Sequence, residues 1–148
     1  MKFSKKSRYG VAALIDLAVN SKNGHVALGS IAERNEISPQ YLEQVFASLR
    51  RAGIVKSVKG SQGGYLLKYP TSSITVASII QALEGTYYLD DEETKTEESA
   101  AGIAETIQED IVDRVNHGLD QILQNLTLAD LEESFQERQS GGQEMYYI

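Results

Sequence analysis

Polar side chains recur along residues 38–53 (SPQYLEQVFASLRRAG) at the spacing of one helix face. On a helix of about 3.6 residues per turn, Leu42, Val45, Phe46 and Leu49 share one side. The opposite side carries Gln40, Gln44, Ala47 and Arg51, flanked by Glu43 and Ser48. Glutamine can bond adenine through two hydrogen bonds, glutamate can accept from cytosine N4, and alanine can meet a thymine methyl group. This face therefore has the chemistry needed to read bases in a major groove.

Basic residues extend the same region, since Arg50, Arg51, Lys56 and Lys59 follow within one short stretch that suits DNA phosphates. Residues 1–70 carry eleven Lys and Arg against four Asp and Glu, a net charge of +7. Residues 71–148 carry three against seventeen, a net charge of −14. The alternative is an ordinary solvated helix face. The confinement of positive charge to one half favours nucleic-acid binding there.

Hydrophobic periodicity predicts the elements that position these side chains. The predicted order is a helix that ends at Asn23-Gly24, a short helix around Leu28–Ala32, a helix over 38–52 capped by Ser38-Pro39, β runs at 54–58 and 65–67 around a glycine-rich loop, and a helix over 75–83. This is the order of a winged helix-turn-helix with a small β-hairpin wing, so residues 1–86 are predicted to form the DNA-binding domain. The fold class is mainly α.

The second half is predicted to contain an acidic flexible loop, two helices and a tail. Residues 87–100 include DDEETKTEES, which has no apolar side chain. Residues 101–135 are predicted to form a long helix to about Asn125, then a short helix from Leu128 to about Phe135 capped by Thr127. Ser140-Gly141-Gly142 suggests a flexible linker, so residues 136–148 are interpreted as a flexible tail.

Several classes of function are excluded or disfavoured. The chain has no cysteine, which removes disulfides, thiolate metal sites and cysteine nucleophiles, and it has two histidines. No catalytic set, phosphate loop or calcium loop is present, so neither an enzyme nor a metal or other cofactor is predicted. The apolar run 11–19 is interrupted by Asp16, which argues against a signal peptide. No apolar run suits a membrane span, and a cytoplasmic location is expected.

The chain resembles the Rrf family of winged-helix transcription regulators, which includes an iron–sulfur-cluster regulator, a nitrite-sensitive repressor and a cysteine-metabolism repressor. The resemblance covers nearly the whole chain, through Thr127-Leu128 and Asp130-Leu131. The motifs that carry it are Lys6, Arg8-Tyr9, Ile31-Ala32, Ile37-Ser38, Tyr41-Leu42-Glu43-Gln44, Leu49-Arg50, Ala52-Gly53, Val55, Ser57-Val58, Gly60 and Gly63-Gly64-Tyr65.

The resemblance implies a docking geometry on double-stranded DNA. The helix that bears Gln40, Glu43 and Gln44 would enter the major groove, and the wing tip at Lys59-Gly60 would approach the minor groove. The start of the first helix would lie near phosphate. The full set of expected DNA contacts is Lys6, Arg8, Tyr9, Ser38, Gln40, Tyr41, Glu43, Gln44, Arg51, Lys56, Lys59 and Gly60.

The sequence also departs from the family pattern. Cluster-binding members carry three cysteines at about residues 90–100, where this chain has none, so the cluster function does not carry over. Lys59 replaces the usual arginine, and Ser7 replaces a common glycine. The turn before the third helix has Asn35-Glu36 instead of a glycine, and Asn35 is expected to tolerate a left-handed conformation there.

The long helix has two interpretations. It could pack back on its own winged domain, or it could be a dimer helix. Its apolar residues at 103, 107, 111, 115 and 119 advance mostly by four, so the stripe is predicted to wrap around the helix, which suits a crossing or a two-sided contact better than a long straight heptad seam. The resemblance implies a homodimer, and a pseudo-palindromic operator needs one. The expected dimerisation residues are Ile111, Val115, Gly118, Leu119 and Ile122.

The end of the chain, Tyr146-Tyr147-Ile148, suggests either a locally packed terminus or a peptide ligand. The resemblance is strongest to the cysteine-metabolism repressors, which share a Tyr-Ile ending and partner with cysteine synthase. A cysteine-synthase-type enzyme is therefore a candidate partner. The sequence predicts a cytoplasmic, homodimeric DNA-binding repressor, with cysteine or sulfur metabolism as its candidate regulon. The alternative is an interaction adaptor that acts through the acidic half and the tail.

Overall fold

The structure is a computed structural model that describes residues 3–91 and 101–146, with side chains in 3–91 and 102–142. The elements in chain order are α1 (Lys5–Asn20), α2 (Leu28–Asn35), α3 (Pro39–Arg51), β1 (Val55–Val58), β2 (Gly64–Leu67), a 3₁₀ turn (Thr71–Ser73), α4 (Val76–Glu84), α5 (Ala101–Ile107), a π turn (Gln108–Asp113), α6 (Arg114–Leu123) and α7 (Leu128–Tyr146). We call residues 3–84 the winged half and residues 85–146 the C-terminal half.

The helix starts in the winged half follow capping chemistry. Ser38 accepts a hydrogen bond from the backbone N–H of Tyr41 at 3.4 Å, and Pro39 occupies the first turn of α3. Thr75 caps α4 by accepting from the backbone N–H of Ser78 at 3.1 Å. These starts confirm the predicted boundaries. α1 ends at Asn20 rather than at 23–24, because the Asn20 side chain bonds the Asp16 carbonyl and closes the last turn.

The turn between α2 and α3 corrects one expectation. The left-handed residue is Glu36, with φ 53°, whereas Asn35 remains in α2. The Asn35 amide donates to the Ile31 carbonyl at 2.8 Å and to the Asp16 carboxylate at 3.0 Å, and these bonds hold it in the helix. The position one residue later therefore takes the strained conformation.

The wing is a two-stranded antiparallel hairpin in which Val55 pairs with Leu67 and Val58 pairs with Gly64. The backbone of Tyr65 also exchanges two hydrogen bonds with Val26, at 2.9 and 3.0 Å, which ties the wing to the loop after α1. Gly64 allows this approach, because a Cβ there would lie 2.3 Å from the Val26 carbonyl oxygen. The predicted wing is confirmed.

The core lies between α1, α2, α3, α4 and the wing. Its fully buried side chains include Leu14, Leu17, Ile31, Leu42 and Phe46. Leu128, at the start of α7, adds one side chain from the C-terminal half. A second small cluster of Val76, Ala77, Ile80 and Tyr87 is covered by leucines of α6 and α7.

The predicted long helix is present as a continuous helical run from Ala101 to Leu123. Its middle part, Gln108–Asp113, forms a π turn between two α-helical segments. A four-residue step overshoots one turn of an α-helix and falls short of one turn of a π-helix, whose bonds run from i to i+5. The two drifts have opposite signs. The apolar stripe predicted to wrap around the helix therefore stays closer to one face.

The end of the chain differs from the prediction. α7 begins at Leu128, and Thr127 and Asp130 cap it by reciprocal hydrogen bonds of 2.9 and 3.2 Å. The helix does not stop near Phe135 but continues through Ser140–Gly142 to Tyr146. Extending an existing helix needs no new nucleation, and each glycine costs only about 1 kcal/mol relative to alanine. Residues 136–146 are thus helix rather than tail. Within the described residues, no helix is long and apolar enough to cross a membrane.

Candidate nucleic-acid interface

The outer face of α3 presents the side chains that the sequence assigned to base reading. Gln40, Glu43 and Gln44 are exposed, and Ala47 is half-buried. Their helix is held from behind by Leu42, Val45, Phe46 and Leu49, which are fully buried. A rigid helix with a polar outer row can enter a major groove without rearrangement.

The first turn of α1 lies against the same helix. The Lys6 ammonium group donates to Ser48 Oγ at 3.2 Å, and the Arg51 guanidinium donates to the same oxygen at 3.2 Å. Ser48 is only 7% exposed and accepts hydrogen bonds from both cations. The prediction that it flanks the outer face of the helix is therefore wrong. Lys6 and Arg51 are therefore brought together on one side of α3.

Aromatic packing fixes the same contact between α1 and α3. The rings of Tyr9 and Tyr41 meet edge to face, with centroids 5.7 Å apart. Lys5 places its ammonium 5.4 Å from the Tyr9 ring, and Arg8 is exposed with its guanidinium 5.2 Å from the Phe3 ring. Tyr9 and Tyr41 are only half-exposed, so each ring holds α1 against α3 and offers only part of its surface to DNA.

A groove of about 440 Å³ separates α3 from the wing, and Glu43, Ala47, Arg50 and Lys59 line it. Arg50 faces this groove, whereas Arg51 turns toward α1. The set of DNA contacts expected from the sequence includes Arg51 and omits Arg50. Adjacent residues on a helix point in different directions, so a sequence alone does not show which arginine faces the wing.

The wing supplies the remaining expected contacts. Lys56 on β1 and Lys59 at the wing tip are both exposed. Gly60 adopts φ 114°, a conformation that L side chains rarely adopt, and this allows the tip to turn. The His25 ring lies 2.6 Å from the carbonyl oxygen of Gln62 and so braces the loop from the other side.

Arg34 is a cation of the winged half that is engaged elsewhere. Its guanidinium bonds both carboxylate oxygens of Asp16, at 2.7 and 2.9 Å. The hydrogen bond and charge of Asp16 raise the pKa of Arg34 above its ordinary value. This pair joins α1 to α2 and occupies the guanidinium, so Arg34 is not counted among the phosphate contacts.

A second candidate surface runs along the helices 101–123. Ile103, Ile107, Ile111, Val115 and Ile122 are 67%, 50%, 55%, 41% and 63% exposed. Leu119 differs from them, because it is half-buried and packs toward the small cluster around Ile80. Gly118 has no atom within 4 Å of the position its Cβ would take.

A polar network fastens this helix to the segment after α4. The phenols of Tyr87 and Tyr88 both donate to the Asp120 carboxylate, at 2.8 Å from Tyr88. Asn116 accepts a hydrogen bond from the backbone N–H of Leu89 at 2.8 Å. The two phenols lower the pKa of Asp120, while burial raises the pKa of Tyr87. The network holds α6 against the segment that follows α4.

The predicted partner-binding residues are only partly covered by the structure. The backbone of Tyr146 is helical, whereas its side chain and all of Tyr147 and Ile148 lie outside the described residues.

The residues present do not fit a cysteine-ligated iron–sulfur cluster, because the chain has no cysteine. Among the described side chains, no group of three or more His, Asp or Glu is placed to hold a metal ion.

The chain is similar in sequence to known transcriptional regulators. The sequence model of the Rrf2 family, described as an iron-dependent transcriptional regulator, matches residues 3–134. The chain is 38% identical over 135 residues to the HTH-type transcriptional regulator IscR of Yersinia enterocolitica, covering 88% of this chain and 79% of that protein.

Two solved structures are also similar. CymR, the global cysteine regulator of B. subtilis, has a TM-score of 0.76 and 36% identity, covering 90% of this chain and 98% of that chain. The IscR of T. potens has a TM-score of 0.62 and 39% identity, covering 94% and 91%.

Proposed function

From the premise that this chain belongs to the Rrf2 family of DNA-binding transcriptional regulators, we propose that it is a homodimeric repressor of a pseudo-palindromic operator. The observation that carries the proposal is the shared surface of α1, α3 and the wing. Lys6 and Arg51 meet at Ser48 on one side of α3, and Arg50 and Lys59 line the groove on the other. The base-reading row thus lies between two groups of cations.

In this arrangement, base reading and phosphate binding fall to different residues. The glutamines and Glu43 on α3 read base edges, while the cations on either side bind phosphate and set the register. Lysine lacks the planar fork of arginine, so Lys59 at the wing tip reads a narrow minor groove less sharply than arginine does.

Salt dependence of binding tests the proposal against the adaptor alternative. For roughly six phosphate contacts, the slope of log K against log salt is expected to be about −5. Fluorescence anisotropy with a duplex that the protein selects from random DNA measures this slope. A slope near zero, or no selected sequence, contradicts DNA recognition and favours the adaptor.

The homodimer is supported by the exposed apolar stripe. Fully burying an isoleucine or valine side chain from water contributes about 1.5–3 kcal/mol. The five side chains of the stripe are 41% to 67% exposed, so covering them adds roughly half of that value for each. We propose that the stripe of Ile103, Ile107, Ile111, Val115 and Ile122 packs against a second copy, with Gly118 allowing close approach of the two helices. Two α3 helices then meet two half-sites separated by one helical turn of DNA.

Sedimentation velocity tests this assembly directly. A dimer at micromolar concentration and a footprint with two half-sites about 10 base pairs apart are the expected results. A monomer that protects a single half-site contradicts the homodimer while leaving DNA binding in place.

The regulon is proposed to be cysteine or sulfur metabolism. The support is the similarity to CymR, which is described as a global cysteine regulator. Genome-wide footprinting in the source organism tests it, because bound promoters should be enriched upstream of genes for sulfur assimilation. Binding to a cysteine-synthase-type enzyme stays a prediction. Pull-down with that enzyme, comparing the full chain with a chain lacking Ile148, tests it.

A further inference from the structure

A carboxylate at the end of α4 meets the first turn of α1, and none of the proposed DNA contacts includes it. Glu84 accepts hydrogen bonds from the hydroxyl groups of Ser4 and Ser7, at 2.6 Å from Ser7. Ser4 is the N-cap of α1, and Ser7 is fully buried. We call these three side chains the α1 anchor.

The anchor satisfies the start of α1 in two ways. Ser4 Oγ accepts from the backbone N–H of Ser7 at 3.3 Å and donates its own proton to Glu84. The carboxylate also lies at the positive end of the helix dipole, where a negative charge is favourable. The two hydroxyl bonds and the nearby charge of Lys6 lower the pKa of Glu84, so it is ionised at neutral pH.

Close packing keeps α1 and α4 together beyond the anchor. A Cβ on Gly10 would lie 2.3 Å from Leu83 Cδ1, so any larger residue there would displace the Leu83 side chain. The packing fixes the distance between the helices, while the anchor fixes the first turn of α1, where fraying is easiest.

The same turn carries cations of the proposed DNA surface. Lys6 reaches across to Ser48 on α3, and Arg8 extends outward from the next position but one. If the first turn unwinds, both cations lose their fixed direction. The gain of phosphate contacts must then offset the entropy of ordering two long side chains.

We propose that Glu84 is a positioning residue for DNA binding, which holds the first turn of α1 through Ser4 and Ser7 so that Lys6 and Arg8 meet the phosphate backbone. The inference rests on the proposed DNA-binding function and deepens it. The use of Ser7, in place of the glycine common in the family, gives this chain a hydroxyl that glycine lacks.

If Glu84 acted only through its negative charge, its removal would strengthen binding to DNA. If it acts by positioning the first turn of α1, its removal weakens binding. Loss of an anion beside Lys6 makes the winged half more positive, which alone tightens binding to DNA. Loss of the anchor frees two cations, which weakens binding. The sign of the change therefore distinguishes the two effects.

The experiment compares Glu84→Ala, Glu84→Gln and Glu132→Ala with the wild-type chain, using anisotropy on the selected duplex over a range of salt. Glutamine keeps an oxygen that accepts from both hydroxyl groups. Glu132 is a matched control, since it is 8% exposed and paired with Lys22 at 2.8 Å, on the far helix α7. Circular dichroism confirms folding at the chosen temperature.

We expect Glu84→Ala to weaken binding about tenfold and to flatten the salt slope by about 1 to 2, the loss of one or two phosphate contacts. Glu84→Gln should rescue both values, and Glu132→Ala should lower the melting temperature without changing the slope. Binding by Glu84→Ala that is as tight as wild type, with an unchanged slope, overturns the proposal.

A second variant covers the case in which Glu84→Ala does not fold. Ser7→Ala removes one of the two donors and keeps the carboxylate, and a smaller flattening of the slope is expected. An unchanged slope in Ser7→Ala then overturns the proposal. If the wild-type chain itself shows no salt-dependent binding, the proposed DNA-binding function fails, and this inference fails with it.

Discussion

The winged half and the C-terminal half differ in how completely their apolar side chains are buried. In the winged half, α1–α4 and the wing enclose a core with fully buried side chains from every helix. In the C-terminal half, neither the π turn nor α6 has a buried residue, and apolar side chains face outward. The winged half therefore offers a surface that is already rigid, whereas the exposed stripe would be covered only by the second copy of the proposed dimer.

The charge of the chain also changes sign along its length, at residue 70 rather than at the boundary between the two halves. The net charge is +7 for residues 1–70 and −14 for residues 71–148. These charges need not cancel, because exposed charges more than about 10 Å apart are largely screened at 0.1 M salt. A chain with an acidic isoelectric point of about 4.8 can therefore carry a basic DNA-binding face.

The largest expected effect comes from charging the exposed stripe. Ile122→Asp changes a side chain that is 63% exposed in the single chain, so the fold should survive. In the dimer the same aspartate would be buried without a partner, which is costly. We expect a folded monomer by sedimentation and at least ~100-fold weaker operator binding, because the second half-site no longer adds its avidity.

Gln121→Asp is the matched control, since it adds the same charge at the neighbouring exposed position. A control that dissociates as readily as Ile122→Asp would mean that charge on α6, rather than the stripe, governs assembly. A fully dimeric Ile122→Asp protein would remove this part of the helix from the interface. Leu119 is a poorer probe, because its packing against the cluster around Ile80 couples assembly to folding.

The second effect separates base reading from phosphate binding within the winged half. Gln44→Ala should weaken the selected site by about 1–3 kcal/mol and leave random DNA nearly unchanged. Lys59→Ala should weaken both evenly and reduce the salt slope by about 1. Competition anisotropy with selected and random duplexes measures both. Equal losses on the two duplexes for Gln44→Ala would show that this face of α3 does not read bases.

Sequence predicted the winged half better than the C-terminal half, for a physical reason. Ser38-Pro39, the helix start at Thr75 and the two β runs around a glycine-rich loop are local signals, and each appears in the structure near where it was expected. Arg50 faces the groove and Arg51 does not, and this difference depends on where the wing folds back against α3. No local sequence pattern contains that information. The anchor joins residues 4 and 84, so only tertiary structure shows it.

The C-terminal half misled prediction where local signals were weak. Ser140–Gly142 is typical of a linker, yet α7 passes through it to Tyr146. Gly-Gly is permissive rather than forbidding, so the preceding helix decides the outcome. Leu119 continues the four-residue spacing of the exposed stripe, but its side chain packs against the cluster around Ile80, a tertiary contact that the spacing does not contain.

A third prediction concerns the network that joins α6 to the segment after α4, and it depends on pH. The folded chain lowers the pKa of Asp120 through the phenols of Tyr87 and Tyr88. A carboxylate whose pKa is lowered by folding stabilises the fold above its ordinary pKa of about 3.9, and the effect is lost as the pH falls through the lower folded value. Asp120→Asn should therefore lower the melting temperature at neutral pH, with a difference that narrows in acid.

Thermal melts of wild type and Asp120→Asn from pH 7 to about pH 3 measure this narrowing. Glu84 has the same sign of shift but is present in both proteins, so it drops out of the difference. A difference that is constant over this range would show that the carboxylate charge does not hold α6 to the segment after α4.

The smallest expected effect tests whether two helices meet at Gly118. Alanine is favoured over glycine inside a helix by about 1 kcal/mol, and in the single chain a Cβ at Gly118 meets no atom within 4 Å. Gly118→Ala should therefore stabilise the monomeric Ile122→Asp variant. In the otherwise wild-type chain the same methyl group would enter a close helix contact, so the dimer should dissociate more readily. Gly29→Ala, in an equally open helical position of the winged half, should leave the dimer unchanged. If Gly118→Ala stabilises the chain and leaves dimer dissociation unchanged, the helices do not approach each other at this glycine, and the contact between copies lies elsewhere along the stripe.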